Sequence, residues 1–136
     1  MITENEITKG QEIPEAYKKD LADLLKKINA IRFAYNKPMT VTSGFRSWAD
    51  HVRIYKEKAQ KRGMPFYLSQ VPTQSNHLYC RAVDIADADG SLKKWVLANI
   101  KLLEDNGLYC EDFSVTTTWV HFQIVPPASG KRFFMP

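Results

Sequence analysis

The sequence predicts an α+β domain with a mainly antiparallel sheet and helices packed on one face. Three observations carry this. Two long segments repeat apolar residues at helical spacing, at least three short segments alternate at strand spacing, and the helical and strand segments interleave along the chain. At 136 residues, with 44% hydrophobic and 25% charged residues, the chain fits one compact domain over residues 1–136.

The first helix spans residues 14–36, where Tyr17, Leu21, Leu24, Leu25, Ile28 and Ile31 or Phe33 fall near a 3.6-residue period. Pro14 suits its first turn, and Asn36-Lys37-Pro38 ends it. "MTVTSG" reads as a short strand that Gly44 releases into a second helix, N-capped by Ser47 and closed by Gly63. His51 reads as a surface residue of that helix. Residues 64–76 carry Pro65 and Pro72 and read as a loop with one short strand. "RAVDIAD" is a strand. "SLKKWVLANIKLLEDNG" is one amphipathic helix, capped by Ser91 and stopped by Gly107. Two strands follow, "LYCEDF" and "TTWVHFQIV".

Several classes are excluded early. No apolar run is long enough to cross a bilayer, and the N-terminus lacks a secretory pattern. The two cysteines, Cys80 and Cys110, give no disulfide framework. A net charge of +4 is concentrated partly in "RIYKEKAQKRG", read as a solvated helix face, with attraction to a polyanion as the alternative. No nucleic-acid-binding motif accompanies it, so no nucleic-acid partner is expected.

The chemistry-bearing residues lie on strand faces. Alternation in the last strand sets Val120, Phe122 and Ile124 toward the core and Trp119, His121 and Gln123 away from it. In "CRAVDIAD" it sets Asp84 opposite Val83 and Ile85, among small residues. His77, Asp84 and His121 can form a His₂Asp set with an open fourth position, the arrangement of catalytic zinc. A histidine and an aspartate at this separation are also common as structural residues.

"SGFRS" (43–47), "SNHLYCRAVDI" (75–85) and "WVHFQ" (119–123), taken in order, are specific. Over roughly residues 38–125 they resemble the motifs of the zinc D-alanyl-D-alanine peptidases. This family includes bacterial carboxypeptidases and phage L-alanyl-D-glutamate endolysins, on the fold shared with the hedgehog signalling domain. The resemblance implies Zn²⁺ held by His77, Asp84 and His121, and a pocket shaped by Ser43, Ser75 and Trp119. It also implies that Arg46 grips a substrate carbonyl or carboxylate and stabilises the developing oxyanion. The implied partner is the peptide stem of peptidoglycan. A phage lytic protein is then expected, monomeric, residing in the host cytoplasm or the virion beside virion proteins, and acting on periplasmic murein.

Two positions depart from the family pattern. Cys80 stands where glycine is usual; alternation puts it on Asp84's side, within reach of the metal, although a buried small apolar residue is the simpler reading. Thr118 stands where an acidic general base is usual. Pairing "LYCEDF" with the last strand as a hairpin allows a register that sets Glu111 opposite His121, whereas a one-residue slip presents Asp112 instead. Glu111 is therefore the expected base and Asp112 the fallback. The competing readings are a metal-binding module without catalysis and a cysteine peptidase built on Cys80 and His121.

Overall fold

The structure is a computed structural model that describes residues 1–136. Five strands form one sheet in the order β1-β2-β4-β3-β5: β1 Val41–Ser43, β2 Ala82–Ala86, β3 Tyr109–Glu111, β4 Trp119–Gln123 and β5 Phe133–Phe134. The first four strands pair antiparallel, and β5 joins β3 in parallel. The α+β class is as expected.

On one face of the sheet, Val41, Val83, Ile85, Cys110, Val120 and Phe122 meet the helices in a continuous buried cluster. The long helix α2 (Lys18–Tyr35) lays Leu21, Leu24, Ile28 and Ile31 onto it, the stripe that its 3.6-residue period predicts. Each such side chain, fully buried, contributes about 1.5–3 kcal/mol. A left-handed Asn36 (φ 56°) ends the helix. A short helix α1 (Glu4–Thr8) precedes α2 and was not predicted. Its capping box of Thr3 and Glu6 holds it in place, so that Ile7 reaches the core.

The second long helix, α3 (Trp48–Lys61), does not join the others on the apolar face. It supplies no residue to the hydrophobic cluster, and its buried residue is His51. Contrary to the expected surface position, His51 is wholly buried, and its Nε2 donates to the Pro72 carbonyl at 2.9 Å. That bond ties α3 to the loop over residues 64–76. The short strand expected in this loop is absent; its prolines interrupt the ladder, and two 3₁₀ turns form instead, at Leu68–Gln70 and Asn76–Tyr79.

The helix expected over residues 91–107 is two helices, α4 (Ser91–Ala98) and α5 (Ile100–Asp105). Asn99 breaks it at φ −132°, ψ 38°, with its side-chain amide bonded to the Trp95 carbonyl. Ser91 is not the cap. The buried Asp87 carboxylate accepts from the Leu92 and Lys93 amides at 2.9 and 3.0 Å, so the residue after β2 anchors the helix.

Cys80 also departs from expectation. It terminates the Asn76–Tyr79 turn in the left-handed region (φ 59°), outside β2, so strand alternation does not apply to it. The turn rotates the side chain into the hydrophobic cluster, where burial pushes the thiol up to about 11. A left-handed position explains why glycine suits it. Cys80→Gly is expected to change stability by no more than about 1 kcal/mol, relief of backbone strain offsetting the lost contacts. Cys80→Ser, which buries a hydroxyl among apolar groups, is expected to cost about 1–2 kcal/mol. Denaturant unfolding of both variants checks this, and neither is expected to lose metal.

Candidate metal centre and active site

The polar face of the sheet carries the candidate site. Asp84 in β2 and His121 in β4 are direct partners in the antiparallel ladder, and the turn before β2 brings His77 against them. All three are buried, and one donor atom from each lies within 4.8 Å of the others. His77 Nε2 stands 3.4 Å from one Asp84 oxygen, and His121 Nδ1 stands 2.9 Å from the other.

The outer nitrogens decide what these atoms can do. His77 Nδ1 lies 2.8 Å from the Gly44 carbonyl, which can only accept, so the Nδ1 proton is donated there. His121 Nε2 lies 2.8 Å from Gln123 Oε1, and Gln123 fixes its own amide by donating to the Val125 carbonyl at 2.7 Å. In their neutral forms both imidazoles therefore aim a lone pair at a carboxylate. Only a cation satisfies that convergence, either a proton on one ring or a metal ion. Ring nitrogens fixed from outside by carbonyl oxygens are the usual support of metal-binding histidines. The residues thus fit a divalent ion that takes nitrogen and oxygen ligands.

Gly44 makes this geometry possible. A Cβ there would clash with the Ile7 carbonyl, which already accepts from the Phe45 amide at 2.9 Å. Glycine lets α1 and the "SGFRS" segment touch along their backbones, and the Gly44 carbonyl is left facing His77.

Without metal, the cluster is an ion-paired network. Burial raises the Asp84 carboxyl, but bonds and charge from His121 and His77 outweigh it and hold the group well below the usual carboxylate range. Burial lowers His121, and the bond and charge from Asp84 outweigh that, so its net shift is upward. The Asp84 contribution to stability is present above its unfolded pKa of about 3.9 and fades as pH falls further. The His121 contribution is complete below about pH 6.5 and is lost as pH rises through the elevated folded value. Metal-free protein is therefore expected to be most stable between about pH 4 and pH 6.5. Metal affinity should rise with pH, because the metal displaces the His121 proton. Denaturation midpoints of chelated and zinc-loaded protein across this range check both slopes.

Arg46 stands beside the cluster. Its guanidinium lies 3.9 Å from Asp84, and its Nε donates to Ser43 Oγ at 3.1 Å, so Ser43 orients the arginine. Glu111 lies on the opposite flank. The β3–β4 register pairs Tyr109 with Gln123 and Cys110 with Phe122, and continuing it one residue sets Glu111 opposite His121. The Glu111 carboxylate is 3.9 Å from His121 Nε2 and only half-buried. Asp112 is used differently: its carboxylate accepts from the Ser114 amide and hydroxyl at 2.9 and 2.6 Å and shapes the turn after β3. Trp119 shares His121's face, one step along β4 and opposite Ala86. Ser75 begins the turn that carries His77, and its side chain makes no capping bond. Thr118 is exposed, and its carbonyl accepts from the Asp87 amide at 2.9 Å.

Sequence reasoning did not single out Gln123 as an orienting residue, although its place on His121's face was legible from alternation. It also missed Lys58. That side chain lies exposed in the last turn of α3; partial desolvation first, then Arg46 and Arg62, lower its pKa, while Glu111 and Asp84 act in the opposite direction. A cavity of about 750 Å³ opens beside the cluster, and Arg46 lines it together with Phe45, Trp48 and Tyr79.

Comparison with curated proteins returns no match. Among solved structures, the L-Ala D-Glu endopeptidase ChiX of Serratia marcescens is similar at 16% identity, with a TM-score of 0.48 over 93% of this chain and 99% of that one. The family model for VanY, D-alanyl-D-alanine carboxypeptidase, matches residues 13–110, a span that holds Arg46, His77 and Asp84 and ends just before Glu111. Most of the chain is covered by that match, and the protein belongs to the VanY D-alanyl-D-alanine carboxypeptidase family.

Proposed function

We propose that the protein is a zinc-dependent peptidase that cleaves the peptide stem of bacterial peptidoglycan. The observation that carries this reading is the pair of imidazoles whose outer nitrogens are fixed by Gly44 and Gln123, so that the inner ones converge on Asp84. His77, Asp84 and His121 would hold the ion, which when bound supplies Lewis-acid activation of water and of the scissile carbonyl.

The chain's own groups do the rest. The Glu111 carboxylate stands 3.9 Å from His121 Nε2 and makes no side-chain hydrogen bond, which leaves it free to take a proton from the attacking water and return it to the leaving amine. Arg46, braced by Ser43, presents its guanidinium where the carbonyl oxygen gains negative charge. Burial of the cluster strengthens both interactions. Arg46→Ala is expected to lower turnover on the order of 10²–10³-fold with the fold intact, and Arg46→Lys to restore only part of it, since lysine lacks the planar fork.

The decisive experiment measures zinc content and fragment release from purified peptidoglycan, before and after chelation and after zinc is restored. About one zinc per chain with chelator-sensitive release of stem-peptide fragments is expected. Zinc without any release would favour a metal-binding module, the reading that Thr118 at the family's usual acidic position supports. Release that survives complete removal of metal would overturn the proposal.

A further inference from the structure

One transverse row of the sheet carries the candidate site and continues past it. Asp84 pairs with His121, the β3–β4 register continued one residue sets His121 opposite Glu111, and Glu111 pairs with Phe134 of β5. Residues paired across neighbouring strands share a face, so Phe134 stands on the polar side of the sheet. A large apolar side chain is out of place there. Phe134 is buried, yet it belongs to none of the hydrophobic cluster on the other face, and its ring packs edge-on against His121 with centroids 6.3 Å apart.

The Glu111 side chain makes no hydrogen bond, so no polar partner fixes its rotamer, whereas a general base has to be held within reach of its proton. β5 supplies that restraint. Its Arg132 and Phe134 carbonyls accept from the Cys110 and Asp112 amides at 2.9 and 2.7 Å, one on each side of Glu111. The strand is short, and Arg132 locks it: the guanidinium donates to the Leu108 carbonyl at 2.8 Å and lies over the Tyr109 ring. With the backbone pinned, a phenyl ring on the β5 flank leaves the carboxylate the flank of His121. We propose that Phe134 is a positioning residue whose ring confines the Glu111 side chain to the side of His121. The effect of this confinement on turnover rests on the peptidase reading above; the confinement itself does not.

The test reads Glu111 directly. In the metal-free full chain, three-bond couplings about the Glu111 Cα–Cβ bond are expected to report one rotamer in the wild type, averaging in Phe134→Ala, and one rotamer again in Phe134→Leu. On zinc-loaded protein with a soluble stem peptide, Phe134→Ala is expected to lower kcat by about 10–100-fold, with KM within about twofold and zinc content retained. Phe134→Leu is expected to keep kcat within about threefold of the wild type. Phe133→Ala is the control. Phe133 packs against Phe113 and the hydrophobic cluster, so its loss weakens β5 without opening the row and is expected to leave kcat within about twofold. Phe134→Val, β-branched and suited to a strand, takes the place of the alanine variant if that one does not fold. A single Glu111 rotamer in Phe134→Ala, unchanged kcat, loss of its zinc, or an equal loss of kcat in Phe133→Ala would each overturn the role. If the wild type cleaves no stem peptide, only the peptidase reading falls, and the couplings still decide whether Phe134 confines Glu111.

Discussion

Replacing His121 by alanine is expected to abolish stoichiometric zinc binding while the helices remain folded. His121 supplies one of three inward donors, and two donors do not hold zinc tightly. The variant also strips Asp84 of its shortest contact, the 2.9 Å bond to Nδ1, leaving a buried carboxylate with His77 and the more distant Arg46. A loss of about 1–3 kcal/mol in metal-free stability follows from that, small enough for circular dichroism to report a folded chain. Zinc content is read on the dialysed protein, and full occupancy would remove His121 from the site. Gln123→Leu offers a finer version. It keeps every donor but frees the His121 ring to choose its tautomer, and metal affinity is expected to fall by about 10–100-fold.

Glu111→Gln is expected to leave zinc bound and reduce cleavage of peptidoglycan to near background. Glutamine keeps the size and place of the side chain beside His121 but cannot take a proton. The contrast is Asp112→Asn. Its carboxylate is occupied by Ser114, which holds its pKa below the ordinary value, so the substitution should disturb a turn and leave most activity. Full activity in both variants would show that the proton is taken elsewhere. If Asp112→Asn alone inactivates a folded, zinc-loaded enzyme, the roles of the two acids are reversed.

Much of the candidate site was legible because strand geometry is periodic. Alternation alone put Asp84, His121 and Gln123 opposite the apolar residues of their strands, and hairpin pairing offered the register that aligns Glu111 with His121. The apolar stripe of α2 was legible for the same reason, since it repeats over five turns.

Short or irregular segments were less legible, because a single turn carries no period to read. Five residues of α1 and two of β5 leave no such signal, and the break at Asn99 interrupts a pattern that stays amphipathic across it. Cys80 was misplaced because one left-handed residue turns a side chain from one face to the other. His51 shows the same limit. It lies in a helix rich in charge, yet the folded loop over residues 64–76 covers it, and burial by a distant segment has no local signature. The sequence by itself therefore determined the α+β class, the apolar faces and which ionisable residues share the polar one, because these follow from periods of 3.6 and 2 along the chain. Tertiary structure alone decided which nitrogen of each histidine points inward, through the carbonyl of Gly44 and the amide of Gln123. It also decided that Arg46 and Tyr79 face one cavity, because backbone approach and the meeting of segments far apart in the chain leave no period to read.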